Sequence, residues 1–302
     1  MSKIKKTTTL STQYQRTGFD KDDITPIQYK ESEVEYNESG KVTKETHFSE
    51  DGGVDSYTLN EYDERGRLVS SVQYDADELL CQQTTQQYDE EGHLVCQGNI
   101  YGEGSPEYLT KFVYENGLLM RQDSYDEDEF DFTEKEFTYD NEGQLVKEID
   151  YSDDGEVLYA IENQYNEKGL LSQMVRNEVA AKDRRSYQFA YDERGNKVKD
   201  LVYNYNEELI AKAYYTYNDN DQLLEAETED LDRYQKATYT YEGAHLVEEA
   251  LSDKDGNVLS KTTYRYNEQG DIVLVTRHIR DEVDNNTLRV LSETQYDREY
   301  YV

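Results

Sequence analysis

Tyr62-Asp63-Glu64-Arg65-Gly66-Arg67-Leu68 returns 26 residues later as Tyr88-Asp89-Glu90-Glu91-Gly92-His93-Leu94. The same order of Tyr, a short acid or amide, two variable residues, Gly, one residue and an aliphatic runs from Tyr139 to Leu145, Tyr165 to Leu171 and Tyr266 to Ile272. Weaker or shorter copies start at Tyr36, Tyr114, Tyr191, Tyr217 and Tyr241, and a truncated one at Tyr296. The leading tyrosines are spaced by 26, 26, 26, 25, 26, 26, 26, 24, 25 and 30 residues, a series that chance does not produce and that marks a repeat architecture.

Each part of the signature has a mechanical role. Asp or Asn opens a tight turn because its side chain bonds the backbone just ahead of it. The Gly four residues after Tyr supplies the positive φ that closes a short hairpin loop. Asp221 stands in that place in one copy, and Asn116-Gly117 is a shortened copy that is itself a hairpin signal. In the copy at Tyr241, Gly243 comes early, so a different loop is expected there. A second turn lies between signatures, as in Asp75-Ala76-Asp77-Glu78, Asp126-Glu127-Asp128-Glu129, Asp153-Asp154-Gly155 and Asp253-Lys254-Asp255-Gly256. Two turns per unit predict an all-β chain: a continuous antiparallel meander of about twenty strands from about ten hairpin repeats. Aromatic-x-Tyr pairs such as Phe112/Tyr114, Phe137/Tyr139 and Tyr264/Tyr266 share one face by the period-two rule. Leu68, Val72 and Tyr74, and likewise Leu145, Ile149 and Tyr151, are expected on that same face, with polar residues opposite.

The Tyr-Asp-x-x-Gly-x-Leu turn at 62–68, and the run from Ser252-Asp253-Lys254-Asp255-Gly256-Asn257-Val258 through Tyr264-Arg265-Tyr266-Asn267-Glu268-Gln269-Gly270, resemble the YD-repeat, or RHS-repeat, family over residues 34 to 300. The resemblance implies a spiralling antiparallel strip, which in that family can close into a hollow shell around a toxin. The unit here is longer than usual, and residues 1–302 hold neither a self-cleaving core motif nor a toxin domain. The expected form is a coiled RHS/YD-like spiral sheet or solenoid over residues 27–302, filled by its own tyrosines or flattened into a double layer. Residues 1–26 lie outside the repeat, carry a small basic excess, and are expected to cap an edge or stay mobile.

Composition narrows the function classes. The 302 residues include 30 Tyr, 7 Phe, no Trp and 2 Pro, which suits sheet faces better than a compact globule. The formal charge of −35 disfavours nucleic acid and anionic lipid, both of which reward clustered Lys and Arg. With no apolar run of the roughly 18 residues a membrane helix needs and no secretory signal, a cytoplasmic location is expected. Cys81 and Cys96 are too few for a disulfide framework and are expected to be free. His47, His93, His245 and His278 are scattered, and nothing has zinc spacing or the form of a phosphate loop. Asp253-Lys254-Asp255-Gly256-Asn257 offers oxygens at alternate positions but lacks the remaining ligands of a calcium loop, so turn chemistry explains it. No enzyme activity and no cofactor are expected.

Charge is uneven along the chain. From Asp123 to Glu136 there are eight acids and one base, Lys135, and from Glu225 to Asp232 five acids and no base. Asp126, Glu127, Asp128, Glu129, Asp131, Glu227, Glu229, Asp230 and Asp232 are therefore the candidate docking residues for a basic protein. The leading expectation is a non-enzymatic binding or scaffold protein, for instance an immunity-type neutraliser of a basic effector. The alternatives are a structural shell or spacer of a larger assembly, and a carbohydrate or peptide binder using exposed Tyr.

Overall fold

The computed structural model describes residues 3–20, 22–105, 107–126, 129–281, 283–284 and 287–301, with the backbone alone at 126. Among them the chain forms 22 strands: β1 (Ile4–Arg16), β2 (Ile24–Tyr36), β3 (Val42–Phe48), β4 (Val54–Tyr62), β5 (Leu68–Asp75), β6 (Leu80–Tyr88), β7 (Leu94–Ile100), β8 (Tyr108–Glu115), β9 (Leu118–Asp126), β10 (Glu129–Tyr139) and β11 (Leu145–Tyr151). The second half continues with β12 (Val157–Tyr165), β13 (Leu171–Glu178), β14 (Asp183–Tyr191), β15 (Lys197–Tyr203), β16 (Leu209–Tyr217), β17 (Leu223–Asp230), β18 (Tyr234–Glu242), β19 (His245–Ser252), β20 (Val258–Tyr266), β21 (Ile272–Arg280) and β22 (Leu288–Tyr300). Two compact units divide them, one of residues 1–84, 101–105 and 236–302, the other of residues 85–100 and 106–235.

In the first unit β1 pairs with β2 on one side and with β22 on the other, from Ile4↔Tyr300 to Gln13↔Ser292. All 22 strands belong to one sheet, and its first and last strands satisfy each other. β1 and β22 therefore leave no terminal edge open, which corrects the expected open spiral or solenoid. The physical reason is the edge: an unpaired 13-residue strand would leave a row of N–H and C=O groups without partners. Tyr14 donates to Glu293 at 2.8 Å across this seam, and Arg16 holds Asp281 at 2.9 Å. The segment that precedes the repeats is thus a strand of the sheet. Among the described residues Ala213 and Val275 are the buried hydrophobic side chains, so the expected self-filled coil is not what forms.

Both kinds of turn obey one grammar. In the signature loop Asp63 N–H donates to Arg67 O and Gly66 N–H to Asp63 O, each at 2.9 Å, while Asp63 Oδ1 accepts from the N–H groups of Arg65 and Arg67. The second turn at 204–208 does the same: Asn204 Oδ1 accepts from Asn206 and Glu208 at 2.9 and 3.1 Å. An aromatic leads these second turns too, so the leading positions Tyr36, Phe48, Tyr62, Tyr74 and Tyr88 step by 12, 14, 12 and 14 residues. Gly66 takes φ 76° at the closing position, and Glu78, Glu207 and Asp221 are held there at 63°, 63° and 60° without that freedom.

The leading Tyr couples one repeat to the next. The hydroxyls of Tyr62, Tyr139, Tyr165, Tyr191, Tyr217 and Tyr266 donate to backbone carbonyls 20 residues earlier, at 2.7 to 2.9 Å. Each phenol thus finds the partner that burial demands. The expected single apolar face is corrected by the register. Tyr62 opposes Leu68, but Glu61 opposes Ser70, so Val69 is an extra residue. That bulge advances the alternation by one. Val72 and Tyr74 consequently lie with Leu59 and Tyr57 on the face away from Tyr62, where Tyr57 and Tyr74 stack at 5.1 Å.

Candidate functional site

All the candidate docking residues fall in the second unit, and the structure separates them by role. In the first acidic run Asp123 is 1% exposed, held by Arg121 Nε at 2.8 and 2.9 Å and by Thr133 Oγ1 at 3.0 Å. Burial, reinforced by Asp123 and Asp150, pushes the Glu134 carboxyl above its ordinary range against the pull of Lys135. Glu136 accepts from the Tyr151 hydroxyl at 2.7 Å. Asp123 is therefore structural, Glu134 is half-buried, and Glu136, although exposed, is bonded within the fold. Glu129 and Asp131 stand exposed beside the turn, and Glu127, Asp128 and the Asp126 side chain lie outside the described residues.

In the second run Glu227 is half-buried and Glu229 pairs with Lys212 at 2.8 Å. Asp230 caps its own turn by accepting from the N–H groups of Asp232 and Arg233 at 2.9 and 2.8 Å, and Asp232 is exposed. Consecutive strands here are antiparallel, so the β9/β10 and β17/β18 turns lie at the same end of the ladder. They stand eight strands apart, about 38 Å at the usual strand spacing. The structure therefore does not merge the two runs. It places them on one rim with the exposed Asp153, Asp154, Glu156, Glu207 and Glu208 of the intervening loops. The β13/β14 hairpin interrupts this row with Arg176, Lys182, Arg184 and Arg185, all exposed.

Two lysines on the Tyr-bearing face hold bonds that charge counting along the chain did not reveal. Lys135 reaches Asp150 at 2.8 Å, Glu148 at 3.4 Å and the Tyr159 hydroxyl at 3.1 Å. Burial alone would lower its pKa, but Asp150 and Tyr159 reverse that and hold the ammonium firmly protonated. Lys197 meets Asp200 at 2.8 Å, and the Tyr215 hydroxyl donates to the same carboxylate at 2.8 Å. Held as it is, the Lys135 ammonium is neither a base nor a nucleophile. The sequence signal was present in register: Lys135 lies opposite Asp150 once the loop between β10 and β11 is counted.

The histidines at turn positions have a role beyond surface. His93 stacks on Tyr114 at 4.7 Å and bonds Asp89 at 2.9 Å, and His245 lies 4.4 Å from Tyr266. Both cysteines are free. At 253–257 the Asp253 carboxylate accepts from the N–H groups of Asp255 and Asn257 and from the Asn257 amide, which is the turn chemistry expected of it. Among the described residues no group of His, Cys, Asp and Glu is placed to hold a metal ion. No helix among them is long and apolar enough to cross a membrane.

No protein-family profile matches the chain, and no curated protein matches it. In structure it is similar to a chain of the crystal structure of TcdB2-TccC3-Cdc42, with 15% identity and a TM-score of 0.38 over 83% of this chain and 15% of that one. A porin-like protein from Bacteroides uniformis is similar over 98% of both chains at 11% identity and a TM-score of 0.35, and one from Bacteroides vulgatus over 98% of both at 12% and 0.27. The chain spans about 15% of the length of the first of these.

Proposed function

We propose that the chain is a non-enzymatic protein-binding module that presents acid-rich hairpin loops to a basic partner. The observation that carries this reading is the division of labour among the acids. Asp123 is buried, and Glu136 and Asp230 spend their carboxylates on Tyr151 and on their own turn, whereas Glu129, Asp131, Glu207 and Asp232 stand exposed on loops of one rim of the second unit. Together with a formal charge of −35, such a rim steers a cationic protein and gives the encounter a strong salt dependence. Neutralising a basic effector, in the manner of an immunity protein, is the natural version of this role. A shell or spacer built by edge-to-edge growth draws less support, because the terminal strands that would have to stay open, β1 and β22, pair with each other.

The test is titration calorimetry of the whole chain with an oligolysine peptide at low salt. Binding is expected, and it should vanish by about 0.2–0.5 M salt. A variant carrying Glu129→Gln, Asp131→Asn, Glu207→Gln and Glu208→Gln should bind at least tenfold more weakly. No binding by the unmodified chain, or equal binding by the variant, would sink the reading.

A further inference from the structure

The same rim carries a second, apolar pattern. Five consecutive hairpins there, joining β9/β10, β11/β12, β13/β14, β15/β16 and β17/β18, each raise a large apolar side chain into solvent. These are Phe130 (57% exposed), Leu158 (42%), Val179 (45%), Tyr205 (66%) and Leu231 (78%). Single exposed apolar residues are ordinary on any protein. Their confinement to one end is not. At the signature end of this unit, among the described residues, Leu224 is the exposed large hydrophobic side chain beside a loop, at 36%.

Turn chemistry does not account for the row. Tyr205 occupies the second position after the leading aromatic, where the sister loops carry Glu64, Ala76, Glu90, Asp153, Glu193 or Lys254. Leu231 sits between Asp230 and Asp232 in a turn whose hydrogen bonds join Asp230, Asp232 and Arg233. Phe130 packs edge-on against Tyr125 at 5.9 Å, and Lys111 lies 3.7 Å over the Tyr125 ring, so the aromatic pair is a supported platform. Acids flank the tips: Glu129 and Asp131 around Phe130, Asp230 and Asp232 around Leu231, Glu207 and Glu208 beside Tyr205.

The spacing names the shape that fits. Hairpins two strands apart repeat at about 9.6 Å. Seven residues of α-helix rise about 10.5 Å. A helix laid along the rim would set one apolar residue of a seven-residue repeat against each tip, and about 26 residues would cover the five. We infer that this rim is a docking site for a basic amphipathic helix of a protein partner, its apolar stripe on the row of tips and its lysines and arginines on the flanking acids. The inference rests on the acidic-docking reading and adds to it the partner's secondary structure and its periodicity. The basic β13/β14 hairpin breaks the charge pattern off-centre in neither direction, at the third of five tips, so a matching acid is expected near the middle of such a helix.

The experiment compares two 28-residue peptides of identical composition, one with Leu at heptad a and d positions and Lys elsewhere, the other scrambled so that Leu faces all sides. Each is titrated into the whole chain and into a variant with Phe130→Ser, Tyr205→Ser and Leu231→Ser, three exposed positions whose loss leaves the turns intact. The patterned peptide should bind at least tenfold tighter than the scramble, and the variant should erase that difference while still binding the scramble. Equal binding of the two peptides, or a preference that survives in the variant, overturns the inference and leaves the acidic-docking reading standing. If neither peptide binds at low salt, both fall. Phosphatidylcholine vesicles are the third probe: tip-dependent vesicle binding would assign the row to a bilayer and overturn the helix, whereas none is expected beside so many acids.

Discussion

The two rims of the second unit are built from the same loop and do opposite things. At the signature rim, loops reach their neighbours: Gln144 donates to Gly169 O at 3.0 Å, Lys168 to Glu193 O at 3.1 Å, and Arg194 to Asn218 O at 3.0 Å. Asn196 bonds Asp221 at 2.7 Å, and the leading tyrosines tie each repeat to the previous one. At the other rim the same turn backbone raises Tyr205 outward, and a tighter turn, in which Asp230 N–H donates to Arg233 O, raises Leu231. A repeat that must stack on both sides at one end is free to vary at the other. That is how a periodic chain separates the part that holds it together from the part that meets something else.

The largest test of this contrast is at Tyr191. Tyr191→Ala removes a half-buried ring and a repeat-to-repeat hydrogen bond and should cost about 3 kcal/mol, read by denaturant unfolding. Tyr191→Phe, which removes only the donor to Leu171 O, should cost about 1 kcal/mol. Glu207→Gly at the other rim should go the opposite way, stabilising by about 0.5–1 kcal/mol, because Gly relieves a positive φ that Glu adopts with strain. Acid should then tell the rims apart. The Asp192 carboxyl resists the upward push of its burial because the N–H and side chain of Asn196 and the N–H of Arg194 hold it below the ordinary value. A lowered folded pKa stabilises the loop above the unfolded value of 3.8 and loses that contribution as pH falls through the folded pKa. Amide protection at Arg194 and Asn196 should therefore fall below about pH 4, while Asn206 and Glu208, capped by neutral Asn204, keep theirs. Smallest of all, Leu231→Ser should change stability by no more than about 0.5 kcal/mol. A larger loss would mean that the tip is part of the fold and not a docking element.

The repeat, the strands and the antiparallel order were legible because turn residues and period-two alternation are local signals. Closure was not, since the seam joins residues such as Tyr14 and Glu293, 279 positions apart, and nothing near either strand announces the other. The single apolar face failed for a smaller reason: one extra residue such as Val69 per loop reverses the alternation, and a bulge has no composition of its own. The acidic runs were visible as runs, yet the engagement of Asp123 and Glu136 depended on Thr133 and Tyr151 arriving from neighbouring strands, with Arg121 two residues along from Asp123. The apolar tips were in plain view, Leu231 between two aspartates above all, but charge counting passes over a single leucine.

The reach of the tyrosine hydroxyls also sets an order of assembly. Each closes a contact over 20 residues, so the ladder can zip as the chain emerges, one hairpin completing the last. The seam between β1 and β22 must close a loop of about 280 residues, which costs only about 2 kcal/mol more entropy than a 20-residue loop because the penalty grows with the logarithm of length. The equilibrium thus scarcely notices the distance, but the clock does: the final pairing is a search of one far edge for another. Until it succeeds, two long strand edges stay open, and that interval is when the nascent protein is most exposed to pairing with the wrong neighbour.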